Sequence, residues 1–214
     1  MPTLLHLDSS ADLDTSRSRR LSQAVVDAWS NADPTGVVVR RDLHRDPVPH
    51  LADASLHWAP ADRRPGANPP AEAETLQRVL LDELLGADIV VIGAPLYNFS
   101  IPSSLKAWID HIHVPGVTSA DTGALTGRPV VIATSRGIAY DTGSPTEGWD
   151  HEVPALRTLF GGALGMDVHV ITTSLTLADR DPALAAQLER SEQELAEALQ
   201  LASETGLRLA VSTA

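Results

Sequence analysis

The 214-residue sequence contains no cysteine. That excludes disulfide staples, thiolate metal sites, iron–sulfur clusters and a cysteine nucleophile, and it fits a reducing compartment. Lysine occurs once, at Lys106, and aromatic residues make up only 4% of the chain. Positive charge is scarce as well: 16 Lys+Arg stand against 28 Asp+Glu, for a formal net charge of −12. So acidic a chain repels phosphate polymers and anionic lipid, and neither a nucleic-acid nor a membrane partner is expected. No run approaches the ~18 consecutive apolar residues of a membrane span. The segment Met1–Leu7 lacks the basic flank and full length of a signal peptide. The expectation is a cytoplasmic protein made of one domain, residues 1–214. Neither G-x-G-x-x-G, nor a P-loop, nor G-x-S-x-G is present. The eight histidines show no metal-ligand spacing; His111 and His113, two apart, would point about 200° apart on a helix.

Four short apolar runs organise the chain: Leu4–Leu7, Ile89–Ala94, Val130–Thr134 and Val168–Thr172. The middle two are apolar on both faces, as parallel strands covered on both sides must be. A fifth, more polar run, Val37–Arg40, suits a position near a sheet edge. Helical stripes lie between them. Leu21, Val25 and Trp29 follow Ser16 at four-residue spacing, and Leu76, Val79, Leu80 and Leu84 fall within Glu72–Leu85. Leu105, Trp108, Ile109 and Ile112 form a third stripe. Helices are also predicted over Pro154–Leu164 and Pro182–Ala202, the latter with Asp181 as cap and Pro182 at its first position. Strands alternating with helices predict an α/β fold: a flavodoxin-like three-layer sandwich with a five-stranded parallel sheet in order 2-1-3-4-5. Residues 41–71 break the rhythm, with six prolines and no clear periodicity, and are predicted as a long structureless loop, functional or flexible.

In such sheets ligands bind beyond the carboxyl ends of the strands. After the first strand come Ser9, Ser10 and the run Asp14-Thr15-Ser16-Arg17-Ser18. Hydroxyls, an arginine and a helix N-terminus suit a phosphate monoester; the same residues also suit ordinary N-capping. After the third strand, Leu96-Tyr97-Asn98-Phe99 brings together one of only two tyrosines and one of only two phenylalanines. Apolar walls with an amide suit a flat heteroaromatic ring. After the fourth come Ser135, Arg136, Gly137 and Ile138, where the glycine allows close backbone approach.

These segments, with Arg41-Asp42-Leu43 and Pro47-Val48-Pro49, Ile101-Pro102, Ser104-Leu105-Lys106-Ala107-Trp108-Ile109-Asp110, Gly116-Val117-Thr118 and Leu125-Thr126-Gly127, resemble the FMN-dependent NADH:azoreductase and NAD(P)H:quinone oxidoreductase family. The resemblance implies that Ser10, Ser16, Arg17 and Ser18 hold the FMN phosphate. It implies that Leu96, Tyr97, Asn98 and Phe99 frame the isoalloxazine, and that Ser135, Arg136, Gly137 and Ile138 line its other edge. It further implies a homodimer with FMN at the interface. The reaction implied is ping-pong hydride transfer from NADH or NADPH, giving two-electron reduction of quinones and reductive cleavage of aromatic azo compounds, with no catalytic acid assigned. Alternative readings are a flavodoxin-type electron carrier and a specialised biosynthetic flavoenzyme on the same scaffold.

The chain departs from the family pattern in places. Ile138 replaces a glycine, and aromatic residues are missing at 119–124 and near Gly162. Weaker stacking on flat acceptors is therefore expected, so small quinones should be favoured over bulky azo dyes. The apolar Leu51, Leu56 and Trp58 suggest that the 41–71 stretch packs on a second subunit.

Overall fold

The structure, a computed structural model, describes residues 1–212. Its sheet has five parallel strands: β1 Thr3–Asp8, β2 Val37–Asp42, β3 Ile89–Pro95, β4 Pro129–Ser135 and β5 Asp167–Thr173, in the order β2-β1-β3-β4-β5. Helices α1 Arg17–Ala32, α2 Ala71–Gly86, α3 Ser103–Ile112, α4 Glu152–Leu156 and α5 Leu188–Ser212 cover it. Side chains alternate along each strand. Leu5, Leu7, Val90, Ile92, Val130 and Ile132 face Leu80, Leu84, Leu105, Trp108 and Phe160 on one side. Leu4, Ile89, Val91, Val131 and Ala133 face Leu21, Val25, Trp29, Ala198 and Ala202 on the other. All seven residues of β3 are buried, which accounts for its uninterrupted apolar sequence.

The five expected strands and their order stand, each strand one or two residues longer. Three expectations change. The helix expected over 154–164 is a short α4 followed by a π-helical turn, Arg157–Ala163, in which the Leu164 amide donates to the Leu159 carbonyl. Gly161 and Gly162 make this widened turn accessible. The last helix opens as a 3-10 turn, Pro182–Gln187, capped by Asp181 as expected, and then runs ten residues past Ala202. Gly206 does not stop it. A Cβ there would lie 2.3 Å from the Val25 carbonyl oxygen, so this glycine lets α5 cross closely over α1.

The 41–71 stretch is not structureless. It carries 3-10 turns at Ala54–His57 and Pro60–Asp62, and Leu43, Val48 and Leu56 are buried within this chain. The Gln77 amide donates to the carbonyls of Leu56 (2.7 Å) and His111 (3.0 Å), and the buried His111 donates through Nε2 to Pro49 O at 2.9 Å. These bonds answer buried backbone acceptors that prolines and short turns cannot serve themselves. Leu56 thus packs on its own subunit, whereas Trp58 stays half exposed.

Candidate active site

At the carboxyl ends of β1, β3, β4 and β5 lies a cleft of about 600 Å³. It joins the first turn of α1 to the loops after β3 and β4. Ser10, Ser16 and Arg17 line one end; Leu96, Tyr97, Ser135 and Gly137 line the other. Seven of the twelve residues singled out from sequence therefore meet in one cavity. Ser18 lies just behind it, fully buried, its Oγ 3.1 Å from Ser16 Oγ. Asn98 and Phe99 stand at the exposed lip, and Arg136 and Ile138 occupy the half-buried loop beyond.

The phosphate and capping readings of the serines prove compatible. Ser16 is the N-cap of α1, its Oγ accepting from the Arg19 amide at 3.3 Å. One orphan donor is thereby satisfied. Among the described residues, the amides of Arg17 and Ser18 have no partner, so the helix still presents two free N–H groups and its positive end to an anion. The Arg17 guanidinium is engaged elsewhere. Its Nη1 donates to the carbonyls of Ser174 (3.2 Å) and Ser191 (3.1 Å), and burial lowers its pKa. Arg20 and Arg180 also line the cleft, as do Asp12, Asp179 and Glu192. Asp12 spends its oxygens on the Asp14 and Thr15 amides and the Thr15 hydroxyl, closing the turn before α1.

Sequence reasoning missed the clamp that shapes this end. Arg19 binds Asp42 through two 2.8 Å bonds and donates at 2.7 Å to the Ser10 carbonyl. Asp42 also accepts from the amides of His44 and Arg45. Burial pushes the Asp42 carboxyl up, but the bonds from Arg19 and the Arg45 amide and the Arg19 charge outweigh it, and its pKa falls to about 2. Asp42 belongs to a quoted motif and Arg19 directly follows another; their pairing across 23 positions is what a linear reading cannot display. Gly93 is required nearby, because a Cβ would fall 2.2 Å from Asp8 Oδ1.

At the other end, Tyr97 and Ser100 exchange backbone bonds (3.1 and 3.0 Å) around Asn98 and Phe99, whose φ values are 47° and 67°. This is a tight turn of the type in which both central residues are left-handed. Asparagine tolerates that region, whereas phenylalanine does so at a cost of about 1–3 kcal/mol. The turn is tied down twice: the Tyr97 hydroxyl accepts from the Ala11 amide at 3.1 Å, and the Phe99 carbonyl accepts from His151 at 2.9 Å. Ser135 O accepts from the Leu96 amide, and Arg136 N donates to Thr173 O. The Arg136 side chain pairs with Asp150 and sits 5.8 Å from the Tyr140 ring, so it braces the 136–150 loop.

Beneath that loop is Glu152, with no solvent exposure. The Thr134 hydroxyl donates to its Oε2 at 2.6 Å, and its Oε1 has no partner. Burial raises its pKa to about 8; the Thr134 bond and Arg136 oppose this, and Asp150 adds to it. No grouping of three or more metal-ligating side chains occurs among the described residues, and no helix is long and apolar enough to cross a membrane.

Comparison with known proteins shows the family and the fold. A family model for the flavodoxin-like fold matches residues 2–198. An FMN-dependent NADH:quinone oxidoreductase of Kineococcus radiotolerans is 58% identical over 205 residues, covering 95% of this chain and 98% of that protein. A relative with the same activity from Parafrankia is 42% identical over 87% of this chain and 90% of that protein. Among solved structures, an FMN-dependent NADH-azoreductase of Bacillus anthracis in complex with FMN superposes with a TM-score of 0.76 at 22% identity. That match covers 98% of this chain and 100% of the other, and it is a likeness of fold. The chain belongs to the flavodoxin-like family that contains the FMN-dependent NADH:quinone oxidoreductases.

Proposed function

We propose that the chain is an FMN-dependent oxidoreductase that takes a hydride from NADH or NADPH and passes two electrons to a quinone, with aromatic azo compounds as further acceptors. The observation that carries this reading is the continuity of the cleft. It links free amide donors and serine hydroxyls at the α1 N-terminus to an apolar wall one strand away, which is the shape and polarity of a flavin mononucleotide. The segment after β1 carries no G-x-G-x-x-G turn to cradle a pyrophosphate, which favours FMN over a dinucleotide.

In this reading Ser10, Ser16 and the Arg17 and Ser18 amides hold the phosphate, and Arg19 fixes the Ser10 carbonyl that shapes their loop. Leu96, Tyr97, Asn98 and Phe99 hold one side of the ring system, and the Ser135–Ile138 backbone the other. When bound, FMN supplies the hydride acceptor and two-electron donor that no side chain of this protein offers. The protein's part is to orient the reactants and narrow the water-accessible space above the strand ends. The active unit is a homodimer, with the exposed Trp58 turn offered to the second subunit.

The test is an absorbance spectrum of the FMN-loaded protein under anaerobic conditions. Adding NADH or NADPH alone is expected to bleach the band near 450 nm within the mixing time, and a quinone is expected to restore it. A flavodoxin-type carrier would keep its colour until a separate reductase was supplied, and that outcome would refute the enzyme reading.

A further inference from the structure

Two hydroxyls meet where the two ends of the cleft join. Ser10 Oγ and Tyr97 Oη lie 3.3 Å apart, and both residues line the cavity. Ser10 belongs to the segment between β1 and α1, Tyr97 to the turn after β3. Ser10 Oγ also accepts from the Asp12 amide at 3.2 Å, and Tyr97 Oη accepts from the Ala11 amide at 3.1 Å. Ser10 is buried, and its carbonyl takes two bonds from the Arg19 guanidinium. Tyr97 is held by the backbone bonds it exchanges with Ser100. Among the described residues, neither hydroxyl has a further partner.

Each hydroxyl owns one proton, and only one proton fits between the two oxygens. Both directions satisfy the geometry. If Ser10 donates to Tyr97, the serine keeps no proton for a ligand. If Tyr97 donates to Ser10, the serine oxygen accepts twice, from Tyr97 and from the Asp12 amide, and its own proton is free to enter the cleft. A phosphate dianion only accepts. Bound beside the α1 N-terminus, it draws the Ser10 proton to itself and makes Tyr97 the donor behind. The bonds then run one way: Ala11 amide to Tyr97, Tyr97 to Ser10, Ser10 to phosphate. In such a chain each bond strengthens the next.

We propose that Tyr97 is a positioning residue whose hydroxyl carries phosphate occupancy at the α1 N-terminus to the ring-holding turn at 97–100. The inference rests on the flavin reading of the cleft and adds a coupling between its two ends. Filling the phosphate end restrains the Tyr97 side chain, and with it the wall offered to the ring system. The phosphate therefore prepares the ring site as well as anchoring the ligand.

The experiment splits the ligand into two probes, riboflavin and inorganic phosphate, on the full-length apoprotein. Riboflavin is titrated by its fluorescence, in saturating phosphate and in chloride of the same ionic strength. In wild type, phosphate is expected to tighten riboflavin about 2- to 13-fold, the worth of one hydrogen bond. Calorimetry should find phosphate tightened by riboflavin by the same factor. Tyr97→Phe keeps the ring and removes the hydroxyl, and the phosphate effect is expected to vanish, whatever the variant's affinity in chloride. Ser10→Ala breaks the next link and should do the same, with the double variant no different from either single one. A Tyr97→Phe protein that loses riboflavin affinity but keeps the phosphate effect would make the hydroxyl a packing contact and overturn the proposal. So would a phosphate effect that survives in Ser10→Ala. Wild type that prefers FMN to riboflavin, yet binds riboflavin equally in phosphate and chloride, would overturn the coupling alone. Wild type that binds FMN no more tightly than riboflavin would overturn the phosphate assignment and the coupling together, so the two failures are distinct.

Discussion

Replacing Glu152 with glutamine is expected to stabilise the protein at pH 8 and to leave its stability nearly unchanged at pH 4. The Glu152 pKa is raised to about 8 when folded, from about 4.5 in an unfolded chain. Below the lower value both states bind the proton, and its contribution is fully present. Between the two values the folded protein keeps a proton that the unfolded chain has released, so stability falls as pH rises, and the loss is complete above pH 8. At about 1.4 kcal/mol per pH unit, the full swing is on the order of 4–5 kcal/mol. Glutamine accepts the Thr134 bond with no charge to bury, so urea unfolding of the variant should be flat over the same window. The same slope in both proteins would show that another group titrates there. The nearest charges, Asp150 and Arg136, are already paired with each other.

The second large effect is expected at Arg19. Its side chain and that of Asp42 are 15% and 24% exposed. Removing one partner of a largely buried pair leaves the other charge poorly solvated, at a cost of about 3 kcal/mol. Arg19→Met should therefore lower the urea midpoint substantially. It should also weaken FMN more than riboflavin, because the Ser10 carbonyl loses its anchor while the backbone bonds that close the 97–100 turn remain. The pH dependence has the opposite sign to that of Glu152. Asp42 titrates near 2 when folded and near 3.8 when unfolded, so its contribution is present above pH 4 and disappears as pH falls through 2. Arg19→Met should flatten that acid limb. An unaltered acid limb would mean that the His44 and Arg45 amides alone hold Asp42 down.

The sheet was legible because its central strands are buried on both faces, a pattern that eight or fewer residues suffice to display. Its order followed from the alternation of strands and helices together with chain connectivity. The 96–99 segment could be found from its concentration of rare residues. What sequence did not disclose depends on long-range pairing. Arg19 and Asp42 are separate letters until β1 and β2 lie side by side. Glu152 is one of 28 acidic residues, and nothing local distinguishes the one placed under Thr134. The π-helical turn at 157–163 carries an apolar pattern that ordinary helical periodicity also fits. Gly206 reads as a helix breaker until α1 is seen passing beneath it.

The central claim is that the cleft holds a flavin by its single phosphate at the α1 N-terminus. Comparative titration of the apoprotein with FMN and riboflavin tests it most directly, because the two differ only in that phosphate. Each hydrogen bond to a charged oxygen contributes about 1.5–3 kcal/mol, and two free amides with neighbouring hydroxyls are available. FMN is expected to bind at least about 100-fold more tightly than riboflavin. Ser16→Ala should narrow that gap roughly 10-fold, leave riboflavin affinity in place, and cost ~1 kcal/mol of apoprotein stability as a lost cap. Equal affinities for FMN and riboflavin in the wild-type protein would contradict the account.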